Sequence, residues 1–177
     1  MPDERKINQT TLRILQGDIS NLDVDAWVYY ARPDLVLGSG MGGAIATRGG
    51  PKIQEELKKL GTVHTTEVVV STGGNLKARY ILHAVGPRFQ EENLEDKLRR
   101  TVQNVLRRAE ELKSRRLAVP AMGAGFYGVP LDVSARITVG TVKEFLKNET
   151  SLKEVIFCLG DSRELKVFEG ELKKLSE

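Results

Sequence analysis

A chain of 177 residues, 40% hydrophobic and 29% charged with 17 glycines, reads as one soluble globular domain spanning 1–177, with a sizeable core. Its net charge of +3 is too small to argue for nucleic acid, and no apolar run approaches the ~20 residues that cross a bilayer. A single cysteine, Cys158, excludes an internal disulfide, and the polar opening MPDERKINQT does not read as a signal peptide, so the cytoplasm is the expected compartment.

Strand-like and helix-like segments alternate along the chain, which predicts an α/β fold. TTLRILQ (Thr10–Gln16) alternates polar and apolar residues as a strand does. DAWVYYA (Asp25–Ala31) is almost continuously apolar or aromatic, as expected of a strand buried on both faces. Strand alternation sends Tyr29 and Tyr30 to opposite sides of it. GGAIATRGGPKIQEELKKLG reads as two short helices broken at Gly49, Gly50 and Pro51. EVVVST and RYILHAV are the next strands, with His83 packed and hydrogen-bonded inside the second. Leu94, Leu98, Val102, Val105, Ala109 and Leu112 recur at helical spacing and predict a helix over Leu94–Lys113. Its basic residues are interleaved with Glu95, Asp96, Glu110 and Glu111, the pattern of a solvated face. RLAVPAM is a strand, Leu131–Lys147 a helix, EVIFCLG the last strand, and Leu165, Phe168, Leu172 and Leu175 mark a closing helix. The share of Lys, Arg and Glu over Asn and Gln suits a thermophile.

Two glycine-rich loops carry the chemistry. Gly38, Ser39, Gly40, Met41, Gly42 and Gly43 form the first, and Gly123, Ala124, Gly125, Phe126, Tyr127 and Gly128 the second. Each follows a strand and precedes a helix. Glycine lets backbone N–H groups approach an anion, and a helix N-terminus adds its positive end. Two such loops at the carboxyl ends of neighbouring strands suit a diphosphate; the competing reading is two tight turns without a ligand. The first loop matches G-x-G-x-x-G, but six residues separate it from its strand and no acidic residue ends the next one, which argues against a dinucleotide dehydrogenase. Asp18, at the end of the first strand, suits either an exocyclic amine such as adenine's or a turn cap. One cysteine and two distant histidines leave no readable metal site, and no cofactor is implied.

LQGDISNLDVDAWV, GSGMGGAIATRGGP, LKARYILHAVGP and LAVPAMGAGFYGVPLDVSA, in this order, resemble the macro domain, the ADP-ribose-binding fold. The resemblance covers nearly the whole chain. It implies a three-layer α/β/α sandwich around a mixed, mostly parallel six-stranded sheet, with a cleft for ADP-ribose at the strands' carboxyl ends. Asp18 and the Ile19 backbone would hold the adenine, Gly38–Gly43 and Gly123–Gly128 the phosphates, with Phe126 and Tyr127 beside the distal ribose. The partners implied are a small nucleotide, ADP-ribose or a relative, and proteins carrying ADP-ribose. The chain departs from the family where Asn-Ala-Ala-Asn is usual: it has Tyr29, Tyr30, Ala31 and Arg32. Hydrolytic members often carry an aspartate at the position of Gly42, and a frequent adenine-stacking aromatic aligns loosely with Gly160. The resemblance therefore implies binding without the usual catalytic side chains, with an ADP-ribosyl hydrolase and a non-binding relic of the fold as rivals. Arg32 can pair with an anion or occlude the ribose end; occlusion is expected, because the loops already supply phosphate donors.

Overall fold

The structure, a computed structural model, describes residues 4–175. Its strands are β1 (Glu4–Ile7), β2 (Thr10–Gln16), β3 (Ala26–Tyr30), β4 (Val68–Thr72), β5 (Tyr80–Ala84), β6 (Arg116–Val119) and β7 (Glu154–Leu159). Its helices are α1 (Gly40–Gly49), α2 (Pro51–Lys58), α3 (Leu94–Glu111), α4 (Leu131–Leu146) and α5 (Ser162–Lys174), with one 3-10 turn at Ile19–Asn21. All the strands join one sheet in the order β1-β2-β7-β6-β3-β5-β4. The five central strands run parallel, while β1 and β4 pair antiparallel at the two edges.

The parallel block explains the apolar character of β3 and β7. Both are covered on two faces, so neither can alternate polar with apolar residues. On one face Leu98, Val102, Val105 and Ala109 of α3 pack with Val139 and Val142 of α4, Phe168 of α5, and Leu12, Val28 and Phe157 of the sheet. On the other, Ile45 of α1 and Ile53 and Leu57 of α2 cover Trp27, Ile81, Ala118 and Ile156. Pleating sends Tyr30 into the first layer and Tyr29 into the second, as the alternation required.

The three-layer α/β/α arrangement agrees with the expectation, but the sheet has seven strands rather than six. The added strand, β1, lies in what reads as a polar leader. It pairs only with β2, and its residues are exposed or half-buried, so it carries no hydrophobic signal. Other boundaries moved for local reasons. Pro120 follows the end of β6, because a proline has no N–H for the ladder. Helix α5 starts earlier than its apolar residues suggest, because the Asp161 side chain accepts the Glu164 N–H and caps it.

His83, on β5, is fully buried, and its Nε2 lies 2.8 Å from Ser71 Oγ. Burial pushes its pKa from 6.5 down to about 4, against a smaller opposing pull from Glu56. The folded pKa lies below the unfolded one, so the unfolded chain takes up the proton first. Stability should therefore fall as pH drops from about 6.5 toward 4, by an amount on the order of 3 kcal/mol from this group. Urea unfolding at pH 7 and pH 4.5 checks this: His83→Gln should show a clearly smaller loss over the interval than the natural protein, and equal losses would reject it.

Candidate functional site

A cleft of about 440 Å³ opens at the carboxyl ends of the parallel strands. The β2 end contributes Gly17 and Ile19, and β3 contributes Trp27 through Tyr30 and, just beyond, Arg32. The first loop supplies Leu37 through Met41, the second Gly123, Ala124, Phe126 and Tyr127, and the β7 end Cys158 and Gly160. Glu164 of α5 closes one side. The two glycine loops, Gly38–Gly43 and Gly123–Gly128, though far apart in sequence, thus face one space.

The first loop is more helical than its sequence suggests, since α1 already begins at Gly40. Gly38 and Gly40 take φ of +64° and +62°, a region that favours glycine. Gly43 N–H bonds Ser39 O, but the N–H groups of Gly40, Met41 and Gly42 have no acceptor among the described residues. These are the orphan donors of a helix N-terminus, and two of the three residues, Gly40 and Met41, line the cleft. In the second loop Gly128 N–H bonds Gly125 O, and Val129 N–H bonds Gly123 O. The turn so closed leaves the N–H groups of Gly125, Phe126 and Tyr127 without a protein acceptor among the described residues.

Not every expected residue faces the cleft. Gly42 and Gly43 serve packing instead: a Cβ on Gly42 would lie 1.7 Å from Leu37 O and 2.5 Å from the Tyr29 hydroxyl. Gly128 is pressed against Phe89, while Gly125, at φ +82°, has open space around it. Asp18 lies between two wall residues, Gly17 and Ile19. Its carboxylate caps the 3-10 turn, accepting the Ser20 N–H at 3.0 Å and the Ser20 hydroxyl at 2.6 Å. Arg48 donates to its other oxygen at 3.0 Å. The Ser20 hydroxyl bond is the main reason the Asp18 carboxyl sits below its ordinary pKa. Asp18 is therefore ionised at neutral pH and acceptor-only.

Aromatic side chains fill the stretch where amides were expected. Tyr30 is buried, gives its hydroxyl proton to Pro87 O, and lies 5.0 Å, ring to ring, from Tyr127. Burial raises the Tyr29 phenol to about 12, so it stays protonated. Arg32 lies along the wall with its Nη2 2.7 Å from Asp34, and 47% of its side chain is exposed. Arg32 is thus one of the cleft's wall residues and is held by Asp34 beside the first loop.

Three wall residues escaped the reading of the sequence. Cys158 is buried, and burial raises its thiol to about 11, but it also lines the cleft. Trp27 is fully buried in the same wall, and its indole N–H has no acceptor among the described residues. Glu164 accepts the Gly160 N–H at 3.0 Å. The pattern Asp161-Ser-Arg-Glu164 just after the last strand was the available signal, since it marks a helix start at the sheet's carboxyl edge.

The chain is an α/β/α sandwich in which two glycine-rich loops with open backbone N–H groups share one cleft at the sheet's carboxyl edge. The family comparison is more specific: the macro domain model matches residues 31–138. A macro domain-containing protein of Caldanaerobacter subterraneus subsp. tengcongensis is 36% identical over 94% of this chain and 98% of that one. The Oceanobacillus iheyensis macrodomain with ADP superposes with a TM-score of 0.93 at 27% identity, covering 98% of this chain and 95% of that one. The Trypanosoma brucei macrodomain in complex with ADP-ribose gives 0.84 at 29% identity, covering 90% and 68%. The chain belongs to the macro domain family.

The contact at Gly42 generates a test. Gly42→Asp, which would introduce the carboxylate common in hydrolytic members, must displace the Leu37 carbonyl. It should destabilise the protein by about 1–3 kcal/mol, as overpacking does, measured by urea unfolding. Natural stability in this variant would show that the loop yields.

Proposed function

We propose that this protein is a binding module for ADP-ribose or a related nucleotide diphosphate. The observation that carries the reading is the pair of loops, each with unsatisfied backbone N–H groups, at one cleft. An unpaired amide donor costs about 1–3 kcal/mol when it is buried; a diphosphate offers acceptors to both loops and excludes water from them. Asp18 and the Ile19 backbone would meet the adenine edge. Phe126, 93% exposed at the mouth, is free to close over the distal part of the ligand. The module takes the ligand free or displayed on a protein, and cytoplasmic work suits it.

Turnover is a weaker reading. Arg32 stands where many hydrolytic members have asparagine, and a guanidinium does not act as a base at neutral pH. The protein should hydrolyse ADP-ribosyl esters and phosphates negligibly, and steady turnover in a product assay would overturn this.

Calorimetric titration with ADP-ribose tests the binding reading, and a silent titration would favour a relic of the fold. Gly125→Val should reduce affinity by at least about tenfold, or about 1.4 kcal/mol. Valine strains a positive φ and covers the turn's donor, while the space around the position keeps the fold intact. Unchanged affinity would make the second loop a turn only. Asp18→Ala should weaken adenine ligands by about 1–3 kcal/mol and barely affect ribose 5-phosphate; equal losses would make Asp18 purely structural.

A further inference from the structure

The far end of the cleft is lined by side chains poorly matched to a sugar. Ribose hydroxyls both donate and accept, and amide side chains answer both needs. Here the Tyr30 hydroxyl is committed to Pro87 O, and Tyr29 reaches Leu37 O only at 3.5 Å. The Tyr127 phenol also lines this end, and Arg32 is the one charged side chain of the lining there, with Arg88 standing behind the Tyr127 ring. Arg32 Nη1 lies against the first loop, 3.8 Å from where a Cβ on Gly38 would sit. Arg88 lies over the Tyr127 ring, 5.9 Å from its centroid, and its side chain has no carboxylate partner among the described residues. Both cations pull against the rise that burial imposes on the Tyr127 phenol, with a smaller push the other way from Asp34, so the two guanidiniums and that carboxylate all stand near the second loop.

The partner of Arg32 is replaceable. Arg32 and Asp34 are each 47% exposed, and ion pairs of that kind contribute about 0–1 kcal/mol. Asp34 has a second role that does not need Arg32, since its Oδ1 accepts the Val36 N–H at 3.0 Å. An incoming phosphate can therefore take the guanidinium without unmaking the turn. A terminal phosphate is acceptor-only and anionic, the complement of a guanidinium, and it can also accept from the hydroxyls beside it.

We propose that the cleft prefers a nucleotide whose diphosphate continues into a further phosphate over one whose diphosphate continues into a neutral ribose, so that nucleoside triphosphates are its favoured class. This deepens the nucleotide-binding reading above and rests on it.

Calorimetry with ADP, ATP and ADP-ribose, each in EDTA, tests it. ATP should bind at least about fivefold tighter than ADP-ribose, and Arg32→Gln should lower the ATP-to-ADP affinity ratio by about the same factor. Arg32→Lys should recover part of that ratio, because it restores the charge. Thermal unfolding of Arg32→Gln like that of the natural protein would place the change in the cleft. Tighter binding of ADP-ribose than of ATP, or a ratio that Arg32→Gln leaves unmoved, would overturn the proposal and leave the nucleotide reading standing. Failure of all three ligands to bind would overturn both.

Discussion

The ring of Tyr30 holds the site together. It projects from β3 into the core layer under α3, α4 and α5 and comes to rest between two glycines. A Cβ on Gly86 would lie 2.2 Å from its hydroxyl oxygen, and one on Gly123 would lie 3.0 Å away. Neither position can carry a side chain while the ring is there. The hydroxyl ties the strand to Pro87, and the ring face meets Tyr127. One aromatic residue thus fixes the chain after β5 and the start of the second loop against the same strand. The shape of that loop follows from core packing before any ligand is considered.

A packed frame of this kind lets the loops keep backbone donors unpaired. In most of the chain N–H groups are spent in ladders and helices. At the N-terminus of α1 and in the turn after β6 they are held open by geometry: helix starts have no earlier carbonyl to bond, and left-handed glycines turn the peptide planes outward. The positive end of α1 adds to the same field. Charged side chains are few in the cleft wall itself, Glu164 and Arg32, with Asp18 and Arg88 just outside it.

Much of this was legible because it depends on local pattern. Helices α3 and α4 show in their apolar spacing, β3 and β7 in their unbroken apolar runs, and the loops in glycines that no regular element explains. What stayed hidden depends on neighbours distant in the chain. Strand β1 has no buried face, so only its partner reveals it. Gly42 reads as part of a phosphate loop, yet its lack of a side chain is enforced by Leu37 O and Tyr29. Arg32 reads as a lone cation, and only the structure shows its short contact with Asp34. Glu164 reads as an ordinary surface glutamate until α5 is seen to start at the cleft's edge.

Trp27 gives the molecule one more property. It is the sole tryptophan of the chain, it is shielded from water, and it stands in the cleft wall with an indole N–H that has no acceptor among the described residues. Indole emission responds to the polarity and hydrogen bonding around the ring. Every photon it emits thus originates at the cleft, without the background of other tryptophans. The protein carries an intrinsic optical gauge at the place where a ligand would displace water, and the same gauge registers loss of the second core layer when the chain unfolds.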